Sequence, residues 1–164
     1  MTLTAHGIVG GAIVSLIPAH PAVGLCLAFA SHYLLDAIPH WDYPVRSASI
    51  NPNIAAKMRY DYAILRDLIV VGGDAALGVV LAAVLFASRG GPLLAGGGAC
   101  AAILPDALEF AYVLYPRGPL LLLQRFHSWV HTSKKIKRPV PGVALQIAFI
   151  AAIVIAVCVA TGLI

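Results

Sequence analysis

Nine side chains of metal-binding or proton-moving type stand in this sequence at spacings that a helix turns into pairs: His6, His32, Asp36, His40, Asp74, Asp106, Glu109, His127 and His131. His32 and Asp36 are four residues apart, as are His127 and His131, and Asp106 and Glu109 are three apart. Each pair therefore shares one helix face, with Cβ atoms about 5–6 Å apart, and can grip one cation. A catalytic zinc typically takes three protein groups and keeps a position open for water. Nine candidates exceed the need of one ion, so two or three divalent ions are expected, with surplus groups as supporting partners or general base. Imidazole and carboxylate without thiolate suit zinc first, with manganese or iron as alternatives.

These groups sit in an apolar sequence. Of 164 residues, 60% are hydrophobic and 11% charged, against about 45–50% and about 25% in an ordinary soluble domain. With a mean hydropathy of +0.90, the composition excludes a soluble globule, a disordered tail and a nucleic-acid-binding domain. Cys26, Cys100 and Cys158 are widely spaced within apolar runs and read as small apolar residues. The first basic residue is Arg46, which argues against a cleaved signal peptide and keeps the first apolar run in the mature chain.

The elements that must position the nine groups are membrane spans, each needing about 17–25 apolar residues. The pattern predicts a single all-α domain over 1–164: a polytopic integral membrane helical bundle of about five transmembrane helices plus one or two interfacial helices. The spans run over about 3–18, 22–38, 67–88, 93–115 and 141–164. Pro18 and Pro39 end the first two, which form a hairpin. Asn51-Pro52-Asn53 is a helix-start signal for an interfacial helix leading into the third span. Pro105 predicts a kink or break in the fourth, whose Gly96-Gly97-Gly98-Ala99 run suits close packing. Residues 119–132 form an interfacial helix, and Lys134, Lys135, Lys137 and Arg138 make a basic stop before the last span.

Five spans put the 39–66 and 116–140 segments on one side, with ten of the eleven Lys and Arg residues, and leave only Arg89 on the other. The positive-inside rule then gives a multi-pass protein of the inner (cytoplasmic) membrane, N-terminus cytoplasmic and C-terminus external. All nine candidate groups fall in the cytoplasmic half. Helical periodicity does not enforce a shared depth, so this is the strongest functional signal in the chain. His20 falls on the opposite side and reads as an interfacial residue; Asp67 beside Arg66 reads as a loop-side ion pair. Basic charge within the spans is too scarce to neutralise Asp36, Asp74, Asp106 and Glu109, and a bound cation removes that cost.

The same residues resemble a known family, the membrane-bound metal-dependent hydrolases related to YdjM. The likeness is carried by Thr4, His6 and Gly10, by Ser31-His32-Tyr33-Leu34-Leu35-Asp36-Ala37-Ile38-Pro39-His40-Trp41-Asp42, by Ile103-Leu104-Pro105-Asp106, and by Phe126-His127-Ser128-Trp129-Val130-His131-Thr132-Ser133. It extends to about residue 133. Ala5 between Thr4 and His6, and the spacing of the late His127/His131 motif, depart from the family pattern. The resemblance implies hydrolase chemistry. The His32-x-x-x-Asp36 arrangement is also similar to metal-binding helices of zinc-dependent phospholipase C.

The sequence thus predicts an integral membrane metal-dependent hydrolase. His6, His32, Asp36, His40, Asp74, Asp106, His127 and His131 hold the ions, and Glu109 serves as general base. Arg125 and Lys134 orient an anionic substrate, a phosphoester of a lipid or a lipid-linked molecule at headgroup level. Membrane lipids are the expected surroundings, nucleic acid is not a partner, and a homo-oligomer is compatible. The rival reading is a metal-ion or proton-coupled transporter using the same cluster, supported by Pro105 and the glycines near Asp74; the absence of an inverted repeat and the one-sided ligands favour the enzyme.

Overall fold

The computed structural model describes residues 1–49 and 57–162. Among these, six helices follow in order: α1 (Leu3–Leu16), α2 (Pro21–Asp36), α3 (Tyr62–Leu85), α4 (Pro92–Leu114), α5 (Gly118–Val130) and α6 (Pro139–Ala160). A two-stranded antiparallel ladder, β1 (Ala48–Ser49) with β2 (Lys57–Met58), lies between α2 and α3. The helix-start signal at Asn51-Pro52-Asn53 lies outside the described residues.

Three helices, α3, α4 and α6, are long and apolar enough to cross a membrane. The expected count of five is not reached on length. α1 and α2 are apolar but have 14 and 16 residues, about 21 and 24 Å of helix against a hydrocarbon core of about 30 Å. α3 begins five residues ahead of the expected boundary, because the Asp61 side chain caps its N-terminus by accepting from the Ala63 N–H at 2.9 Å. α4 runs through Pro105 as one helix rather than breaking there. Pro21, Pro92 and Pro139 each stand in a first turn, where the missing N–H costs nothing.

α1 is the centre. It packs on α2, α3, α4 and α6 and is buried along nearly all its length, as a helix that is apolar on every side should be. Glycine makes the approach close enough. A Cβ on Gly10 would collide with the Gly98 carbonyl of α4, and one on Gly98 would collide with the Gly10 carbonyl. On α3, a Cβ on Gly78 would meet the Thr4 backbone at 2.9 Å. Backbone-to-backbone crossings of this kind replace the hydrophobic driving force that helices lack in lipid.

The turns divide into two ends. Arg89 reaches the Thr161 carbonyl at 3.5 Å, and Gly90 lies against Pro18, so the α1–α2 turn, the α3–α4 turn and the end of α6 share one end. At the other end the chain after α2 meets the chain after α5: Thr132 N–H donates to the Asp36 carbonyl and Ile136 N–H to the His40 carbonyl, both at 2.8 Å. Gln146 of α6 ties in here too, accepting from Thr2 N–H and Oγ1 at 3.0 Å and donating to the Trp41 carbonyl at 2.7 Å.

Candidate metal centre

Asp36, the last residue of α2, is where the titratable groups converge. His32 lies one turn earlier on the same face, and its Nε2 is 3.1 Å from Asp36 Oδ2. α5 delivers His127, whose Nε2 is also 3.1 Å from Oδ2 and 3.4 Å from His32 Nε2. α4 delivers Asp106, with Oδ1 3.4 Å from His32 Nε2 and 3.9 Å from His127 Nε2. His32, Asp36, Asp106 and His127 thus form one group that could hold a metal ion. Asp36, His40 and His131 form a second. Asp36 belongs to both.

The distances suit a cation. Two donors each about 2.0–2.1 Å from a tetrahedral zinc lie roughly 3.3 Å apart, close to the separations around His32. Ring orientation points the same way. His32 Nδ1 lies 2.8 Å from the Ala102 carbonyl, His40 Nδ1 2.6 Å from that of Ile38, and His131 Nδ1 3.1 Å from that of Thr132. A carbonyl only accepts, so each Nδ1 carries a hydrogen and each Nε2 is turned to the cluster, where it can donate to a carboxylate or, deprotonated, bind a cation. His6 Nδ1 is buried with neither a hydrogen-bond partner nor an ion-pair contact, and such an orphan costs about 1–3 kcal/mol unless something pairs with it. The donor set and the spacing of its atoms therefore fit a divalent metal. The Met1 ammonium, 3.0 Å from Asp36 Oδ1 and 2.8 Å from Asp42 Oδ1, is a cation already drawn to these oxygens.

His6 stacks on His32 with ring centroids 4.1 Å apart, and its Nε2 is 3.2 Å from Asp36 Oδ1. Asp74 stands apart from both groups. It accepts from the Leu3 N–H and, at 2.6 Å, from Thr4 Oγ1, which places it as a receptor for the N-terminus of α1. Asp106 and Glu109, paired by spacing, part company: Asp106 faces His32, while Glu109 accepts from buried Gln124 Nε2 at 2.6 Å. Arg125 and Lys134 are exposed. Lys135 takes the place expected of Lys134, with Nζ 2.8 Å from Asp42 Oδ2. Asp67 pairs with Arg66 at 2.7 Å and accepts from Arg46 and Ser47 N–H groups.

Asp42 and Lys135 are members that the candidate set lacked. Burial opposes ionisation of Asp42, but His40, the Met1 ammonium and Lys135 outweigh it and hold the carboxyl well below the usual carboxylate range. Burial pushes the His131 imidazole below its ordinary value against the pull of Asp36, so the neutral, ligating form is favoured.

A cavity of about 880 Å³ opens on the cluster. Asp36, Asp106, Glu109, His127, His131 and Lys135 line its polar side; Leu68, Val71, Ile103 and Phe110 line the apolar side. Comparison of the chain with protein-family models, with curated proteins and with solved structures finds no match. Fold and site together define an all-helical protein with membrane-capable helices and a buried His/Asp cluster able to bind metal ions.

Proposed function

We propose that this protein is an integral membrane metal-dependent hydrolase that cleaves a phosphoester of a lipid or lipid-linked substrate, in line with its resemblance to the YdjM-related family. The observation that supports it most directly is the sharing of Asp36 between two groups of metal-binding side chains on the wall of a cavity. His32, Asp36, Asp106 and His127 would hold one cation, and Asp36, His40 and His131 a second, with zinc the foremost candidate. When bound, such ions polarise a phosphoryl oxygen and lower the pKa of a water molecule.

The chain's own residues supply the rest. Backbone carbonyls fix three imidazoles in the ligating tautomer. Lys135, at the polar end of the cavity, offers its charge to an anionic head. Glu109, fixed by Gln124 on the cavity wall one turn beyond Asp106, is placed to take a proton. The basic residues at the site's end of the bundle orient that end towards the cytoplasm.

Elemental mass spectrometry on detergent-purified, metal-resupplied protein tests this reading. Asp106→Ala should lose at least one bound equivalent together with phosphoesterase activity, and His20→Ala, at the far end of α2, should keep both. Unchanged metal content in Asp106→Ala would remove the site assignment. A metal-free wild-type protein would leave a proton-coupled His/Asp relay, and hence transport, in its place.

A further inference from the structure

The apolar side of the cavity is built mainly from the first half of α3 and the second half of α4, with Met1, Leu3, Val45 and Met58 completing it. Leu68 and Phe110 both line the cavity, yet they are 57% and 38% exposed. The wall therefore opens sideways, on a flank where Leu65 and Ile69 of α3 are also exposed. In a membrane that flank faces acyl chains, so the cavity communicates with the bilayer as well as with the metal cluster. Gly72 lies on this wall and Gly73 beside it lies off it; a Cβ on either meets no atom within 4 Å. Neither glycine serves helix packing, unlike Gly10, Gly78 and Gly98.

Resting on the hydrolase reading, we infer that the α3–α4 wall is a chain subsite that admits one acyl chain of a bilayer phospholipid, entering sideways between Leu68 and Phe110 while its phosphate lies at the cluster beside Lys135. Cations in the cluster would give the polar end, beside Lys135, the charge an anionic head requires, and the apolar wall is continuous with it. Burying a chain there is favourable relative to water but not relative to lipid. From lipid, selectivity comes from holding head and chain together.

The test uses purified, metal-resupplied full-length protein and a long-chain phosphatidic acid carrying a diazirine in its acyl chain. Photolabelling should fall on peptides containing Leu68, Val71, Ile103 and Phe110. It should drop by about tenfold or more in Gly72→Trp, and in the smaller Gly72→Leu, while Gly73→Trp labels like the parent. Excess unlabelled phosphatidic acid should compete, and inorganic phosphate should not. Equal labelling in Gly72→Trp, Gly72→Leu and Gly73→Trp, or full competition by inorganic phosphate alone, would overturn the inference. Metal content of the same samples separates the two readings. Labelling that obeys Gly72 in protein without metal keeps the chain subsite and removes the hydrolase; metal-loaded protein whose labelling ignores Gly72 does the reverse.

Discussion

Asp36 offers a different oxygen to each side of the cluster. Oδ2 faces His32 and His127, and Oδ1 faces His6 and the Met1 ammonium. Asp36→Asn is therefore expected to abolish binding at both groups, whereas Asp42→Asn, which touches only the His40 side, should leave at least one equivalent in an elemental assay. Asp74→Ala should behave in the opposite way. Metal content stays, but loss of a charged acceptor for Leu3 and Thr4 lowers stability by about 1.5–3 kcal/mol, read as a fall in the unfolding midpoint in detergent. The sequence identifies His32 with Asp36, because i,i+4 spacing fixes which side chains share a face, but His127 and His131, expected to grip one cation together, fall in different groups because α5 ends at Val130. It does not tell Asp74 from a ligand, since a carboxylate that receives a helix N-terminus and one that binds a cation have the same type and depth. Nor does it choose between Lys134 and Lys135. Those two stand in an extended stretch whose alternate residues point to opposite sides, a parity set by the pairing of Thr132 and Ile136 with the chain after α2.

At the scale of elements, two kinds of glycine are separated by what surrounds them. Gly10→Ala should destabilise the α1–α4 crossing by about 1–3 kcal/mol, because the added methyl meets the Gly98 carbonyl and the backbone cannot give way cheaply. Gly72→Ala meets nothing and should be neutral or stabilise α3 by about 0.5–1 kcal/mol. Parallel unfolding titrations of the two variants check both signs. The apolar runs and their flanking prolines locate all the long helices. The three-glycine run in α4 signals close packing, although only the structure shows that Gly98 meets Gly10 while Gly96 and Gly97 have looser neighbours. The start of α3 was hidden because Asp61 reads as a loop charge until its bond to Ala63 is seen.

For the molecule as a whole, the two ends differ in charge. Arg89 lies with the α1–α2 turn and the end of α6, while Arg46, Arg66 and Lys135 lie with the cluster. In a chain whose three native cysteines are replaced by alanine, Arg89→Cys should react with a membrane-impermeant maleimide in intact cells, and Arg59→Cys only after lysis. The reverse pattern would invert the assigned orientation. The gathering of His and Asp residues at one end was readable from alternating span direction alone. Their convergence on one carboxylate was not, because it depends on α5 and the chain after α2 folding back over the bundle.

The central placement of α1 also sets a clock for biosynthesis. Gly10 is synthesised 88 residues before its partner Gly98, an interval of about 4–18 s at a translation rate of about 5–20 residues per second. During that time α2 and α3 can already pack on α1, but the face that receives α4 has no partner from this chain. Asp106 and His127 emerge later still, so the candidate cluster can be completed only after α5 has been made.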